Sequence, residues 1–186
     1  DVSAALQAAA TSTEEQLDHV SSESRALIVA QAIALEAWTG AELAPAPELT
    51  KLGRDQAVDL LTWEYQQVYA LDFARSYAAP DLEETIDERL TVHEHRVLEL
   101  QSALEKLGAV PQPAAAYDSP GGALPHDGDS AREFIDTIAH NDTLKWTDAA
   151  TQAAATAGSD SEAEATSAWR RWLIAVAAQS HRFHTA

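Results

Sequence analysis

PDLEETIDERLTVHEHRVLELQSALEKLGAVPQPAAAYDSPGGALPHDGD, residues 80–129, decides how this chain folds. Its first half reads as one long helix. Leu82, Ile86, Leu90, His93, Val97, Leu100, Leu104 and Leu107 recur at steps of three or four, which places them on one helical face. Asp81 and Glu84 have capping-box spacing at its start, and Gly108 is placed to end it. The second half holds Pro111, Pro113, Pro120, Gly121, Gly122, Pro125 and Gly128. That segment is too long and too stiff for a hairpin turn, so it reads as a crossover along the outside of a helical domain.

The pattern extends in both directions. Upstream, residues 55–78 form a second helix with the stripe Ala57, Leu60, Leu61, Glu64, Val68 and Leu71, joined to the first at Ala79-Pro80. Downstream, Ser130 to Thr185 reads as two more helices joined at Gly158-Ser159-Asp160, opened by capping boxes Ser130/Glu133 and Ser161/Glu164. Short hairpin, long crossover, short hairpin is the connectivity of a ferritin-like four-helix bundle, here over residues 55–186. Residues 1–54 supply an additional N-terminal helix, Thr13 to Leu43, packed on the bundle, and a connector. Its stripe is Leu17, Val20, Leu27, Ala34 and Trp38, and Pro45 and Pro47 end it. Strand signals are nearly absent, so the expected class is all-α.

Composition narrows the function. The chain has 186 residues, enough for one core without staples. Thirty acidic residues against 12 basic ones give a net charge of −18, which disfavours nucleic acid and anionic lipid as partners. With no cysteine, there is no disulfide, zinc–thiolate site or cysteine nucleophile. No apolar run approaches the roughly 18 residues of a membrane span. Methionine is absent even at position 1, which reads as a processed or truncated product with any targeting segment upstream.

Glu64 and His93 each interrupt an apolar stripe. Folding at Ala79-Pro80 sets them at nearly the same height and facing inward. Asp142, about 20 Å into the fourth helix at about 1.5 Å per residue, reaches a similar level. Glu64, His93 and Asp142 therefore form the candidate metal set, of a reduced or vestigial kind. The competing and favoured reading is a buried carboxylate–imidazole pair that satisfies itself. His181 and His184 share a helix face but lack a third ligand nearby, and His93-Glu94-His95 lacks the four-residue spacing of a zincin. His19, His126 and His140 stand alone and are expected to face water. Trp169 and Trp172, beside Arg170 and Arg171, read as packing rather than as a partner surface.

Trp63-Glu64-Tyr65-Gln66-Gln67-Val68-Tyr69-Ala70, Val92-His93-Glu94-His95-Arg96, Gly108-Ala109-Val110-Pro111-Gln112-Pro113 and Ala116-Tyr117-Asp118 carry a resemblance. Over the last 130 residues or so, the chain resembles a ferritin-like domain of unknown function common in actinobacterial secreted or lipid-anchored proteins. The resemblance implies a four-helix ferritin-like fold and an extracytoplasmic, cell-envelope address, without an established activity. Di-iron members of the wider group use Glu-x-x-His on two helices. Here Leu90 and Val92 stand where a Glu would pair with His93 or His95.

The expectation is a non-enzymatic binding or structural module with a protein or small-molecule partner and no required cofactor. A homodimer stays open. The alternative is a metal-binding or oxidase-like ferritin relative using Glu64, His93 and Asp142.

Overall fold

A computed structural model describes residues 2–108, 110–154 and 160–185. Among these the chain is all-α: α1 Val2–Glu15, α2 Ser22–Thr39, α3 Lys51–Arg75, α4 Pro80–Glu105, α5 Gly128–Ala154 and α6 Asp160–Thr185. No strand occurs among the described residues. Contacts divide the chain into two compact units, residues 54–141 and residues 1–53 with 142–186. Helix α5 is unbroken and contributes to both.

In the unit of residues 54–141, α3 and α4 are antiparallel. Arg75 pairs with Asp87 near the turn (2.9 Å), and Gln101 Nε2 donates to the Tyr65 hydroxyl at the other end (2.9 Å). Pro80 is the first residue of α4, where its missing N–H costs nothing. The cap position is Ala79 rather than Asp81. Asp81 instead pairs with Arg132 of α5 at 2.8 Å, and this hydrogen bond holds its carboxyl below the usual range. The Arg89 guanidinium donates to the carbonyl of Ile135 at 3.1 Å. The starts of α4 and α5 thus lie at the same end, so the two helices run parallel and their connection must travel back along them.

The crossover does so. Pro111 O accepts from the Tyr65 hydroxyl at 3.1 Å, the Tyr117 ring meets Tyr69 edge-on at 5.9 Å, and Pro120 O accepts from Asn141 Nδ2 at 2.7 Å. Gly108, with φ +124°, turns the chain out of α4. The capping box of α5 sits one turn earlier than expected. Asp127 Oδ1 accepts the Ser130 N–H at 2.8 Å, and Ser130 Oγ accepts the Asp127 N–H at 3.0 Å. These bonds to Ser130 lower the Asp127 carboxyl. A core of Leu71, Leu82, Ile86, Phe134, Ile135 and Ile138 fills the space between the three helices. Each such side chain contributes about 1.5–3 kcal/mol by burial.

In the other unit, the expected single helix from Thr13 to Leu43 is two. After α1, a 3-10 turn at Gln16–Asp18 and a break before Ser22 reset the helical phase. The stripe drawn through Leu17 and Trp38 therefore does not survive. Leu17 is fully buried, while Leu27 and Trp38 are 71% and 80% exposed. The buried face of α2 is Val29, Ala32 and Ile33. Gly40, in the left-handed region at φ +64°, stops α2 at Thr39, before either proline is reached. The Trp169 ring stacks on Trp172 at 5.2 Å and Trp146 meets Trp172 edge-on at 5.8 Å. Trp172 Nε1 donates to Ala44 O (3.0 Å), so these tryptophans are packing residues. Arg170 makes a two-pronged bond to Asp18 (2.8 and 3.3 Å) that lowers the Asp18 carboxyl. The expected turn at Gly158-Ser159-Asp160 falls largely outside the described residues.

Gly121 pins the crossover to α5. A Cβ there would lie 2.6 Å from the Phe134 ring and 2.8 Å from an Ile138 methyl. Gly121→Ala is expected to destabilise the chain by about 1–3 kcal/mol in urea unfolding, the usual effect of overpacking. An unchanged midpoint would mean that the crossover does not seat against α5.

Candidate functional site

The centre of α3 and α4 is polar. Glu64 is fully buried and His93 is 6% exposed. Glu64 Oε2 lies 2.6 Å from His93 Nδ1, the short distance expected of a strong hydrogen bond. Arg96 Nη1 approaches Glu64 Oε1 at 3.5 Å, and Arg96 is also fully buried. The expected pair is thus a triad of acid, imidazole and guanidinium. Arg96 was legible in principle. It follows His93 by three residues and precedes Leu100 by four, so it is as well placed to share their face as Val97 is. An apolar stripe drawn through the hydrophobic neighbour misses it.

Gln67 is a second missed residue, three positions after Glu64 on the inner face of α3. It has no exposed surface, and neither its Nε2 nor its Oε1 has a hydrogen-bond partner. A buried amide without partners costs about 1–3 kcal/mol.

Asp142 follows Asn141 in the unbroken α5. Ser180 Oγ of α6 donates to its Oδ2 at 2.7 Å. Glu64, His93 and Asp142 each offer one ligand atom, all within 4.8 Å of one another, so this buried group could hold a metal ion. The donor set is one imidazole and two carboxylates, borderline to hard, as suits iron, manganese or zinc. Three protein ligands fit a single ion. They do not make a two-metal centre, because Leu90 stands where a further carboxylate would be needed and the Arg96 cation already rests on Glu64. The other histidines stay apart. His95 is exposed and 3.6 Å from Glu99, His19, His126 and His140 face outward, and the side chain of His184 lies outside the described residues.

On the outer side of α3 and α4 lies a groove of about 580 Å³, closed on its third side by the crossover. Tyr65, Val68 and Tyr69 form one wall, Val97, Leu98 and Gln101 the other, and Pro113, Ala114 and Tyr117 the lip. Tyr65 is held from both directions by Gln101 and Pro111, and the Tyr117 hydroxyl accepts from Ala114 N at 2.7 Å. The walls are therefore fixed in place before any ligand arrives.

The unit of residues 1–53 and 142–186 has its own cleft of about 300 Å³, lined in part by Glu14, Glu36, Arg171 and Trp172. Burial, and then the Glu36 charge, push the Glu14 carboxyl from its ordinary 4.5 up to about 7, against the opposing pull of Arg171 and Arg170. Burial also raises Glu36, opposed by Arg182.

No protein-family description, curated protein or solved structure matches this chain. The chemistry of its residues carries the functional reading.

Two outcomes test this geometry. Glu64→Leu removes the carboxylate on which both His93 and Arg96 rest, and should cost about 3–5 kcal/mol in urea unfolding. His93→Leu should cost about 1–3 kcal/mol, and the double variant clearly less than the sum. Strict additivity would mean that the two side chains are not coupled.

The second outcome is a pH dependence. The folded state favours protonated Glu14. Its contribution is therefore fully present below about pH 4.5 and is lost as pH rises through about 7. Thermal unfolding between these values should show the wild type losing stability relative to Glu14→Gln as pH increases. Parallel curves would rule out a raised Glu14.

Proposed function

We propose that this chain is a non-enzymatic binding module, built on a ferritin-like bundle, whose ligand site is the groove between α3, α4 and the crossover. The cell-envelope address implied by its resemblance belongs to the same proposal. One observation carries the reading: the groove is preformed, apolar and aromatic, with the hydroxyls of Tyr65 and Tyr117 already engaged. Its volume falls in the range of small-molecule sites, about 300–1,000 Å³. The polar centre, by contrast, is turned inward and its acid already has basic partners.

The neutral fluorescent probe N-phenyl-1-naphthylamine tests this. Its emission should rise on binding, and Val68→Trp, which fills the groove, should weaken binding by about tenfold or more, while the variant unfolds at an unchanged temperature. No binding, or binding that ignores Val68→Trp, would overturn the reading.

A second reading rests on the approach of Glu64, His93 and Asp142. In it a single divalent ion sits in the polar centre, held by one nitrogen and two oxygens. A bound ion would require the Glu64–His93 hydrogen bond to open. Titration with Co²⁺, followed by its visible absorption, should then give one ion per chain, lost in His93→Gln. Zero ions, or two, would dismiss this reading.

A further inference from the structure

We propose that the groove selects a cation: a small ammonium compound with an aromatic or branched aliphatic body. The inference rests on the groove being the ligand site and adds what that ligand must carry. Two carboxylates border the groove, Asp72 from α3 and Glu94 from α4, both exposed. No lysine, arginine or histidine lines it. Neither carboxylate has an ion-pair or hydrogen-bond partner among the described residues, unlike Asp87 and Asp81 nearby, which are taken by Arg75 and Arg132.

The remaining polar atoms of the walls point to the same choice. The Tyr65 hydroxyl is occupied as donor to Pro111 O and as acceptor from Gln101, and the Tyr117 hydroxyl accepts from Ala114 N. The charged groups that border the groove are both negative. An anionic ligand would be repelled by Asp72 and Glu94, and a neutral one would gain nothing from their charge. A cation would lie between them with its apolar body on the tyrosines, whose ring faces also attract positive charge. The net charge of −18 draws cations toward the whole surface, and this apolar groove adds shape to charge.

The occupant is a small molecule rather than a peptide strand or helix. The crossover residues Pro113, Ala114 and Tyr117 close one side, so the site is a pocket-sized recess rather than a through-going channel.

Displacement of bound N-phenyl-1-naphthylamine tests the inference. Benzyltrimethylammonium should displace the dye at about tenfold lower concentration than benzyl alcohol, and benzenesulfonate should not displace it. Asp72→Asn and Glu94→Gln should each weaken the ammonium about fivefold, the upper range for an exposed charge pair, while changing the affinity of the neutral dye by much less. Raising the salt concentration should reduce the preference. If the dye binds but ammonium and alcohol compete equally, or if both variants leave the ammonium unaffected, cation selection is wrong while the groove reading stands. If the dye itself does not bind, both fail. A lysine-containing pentapeptide that binds more tightly than benzyltrimethylammonium would overturn the small-molecule occupant.

Discussion

A carboxylate buried without exposed surface constrains everything around it. Removing an ion from water costs several kcal/mol unless a partner of opposite sign meets it with good geometry. Glu64 is met by His93 Nδ1 at 2.6 Å and by Arg96 at 3.5 Å. Sliding α4 by one turn, about 5.4 Å, would break the His93 hydrogen bond and move Arg96 from its place beside Glu64, so the two partners could no longer meet the acid together. The triad therefore selects one register of α3 against α4, which apolar stripes alone specify loosely. That register brings Gln101 to Tyr65, Tyr65 to Pro111, and the crossover to its seat on α3.

Much of this was legible because the signals were local or periodic. A stripe of eight positions, five of them leucine, points to α4, and seven prolines and glycines define a segment that is not a helix. The height match of Glu64 and His93 follows from counting outward from Ala79-Pro80. The misses have physical causes of their own. Residues 16–21 interrupt the N-terminal helix without proline or glycine, and every phase assignment beyond the break is rotated, so Leu27 and Trp38 fall on the outside. Gly40 stops α2 before the more conspicuous prolines do. At α5 two hydroxyl or carboxylate residues compete for the cap. The pair Asp127/Ser130 prevails because each side chain reaches the other's N–H.

Arg96 and Gln67 illustrate a deeper limit. Both sit on inner faces, yet a search for apolar periodicity passes over them in favour of Val97 and Val68. Glu64 and His93 were noticed because each stands within a stripe that is otherwise apolar. Polar residues in a core are best found by asking which positions must be inside, then reading whatever stands there. The extent of the polar centre was consequently underestimated, and with it the reason the centre is stable: an arginine as well as a histidine answers the buried acid.

The division of labour between the two faces of α3 and α4 follows from helical geometry. Successive residues on a helix point about 100° apart, so Glu64 and Tyr65, or His93 and Glu94, serve different environments. On the inner face, Glu64, His93 and Arg96 spend their polar capacity on one another. Outer ones, Tyr69, Asp72, Glu94 and Leu98, line a groove whose carboxylates have no ion-pair or hydrogen-bond partner among the described residues. A change on the outer face can therefore alter what is bound without touching the buried acid, whereas a change at Glu64 must disturb both, since the groove walls keep their spacing only while the register holds. Specificity in such a module is free to vary at the surface, and the charged centre limits how far the scaffold beneath it can move.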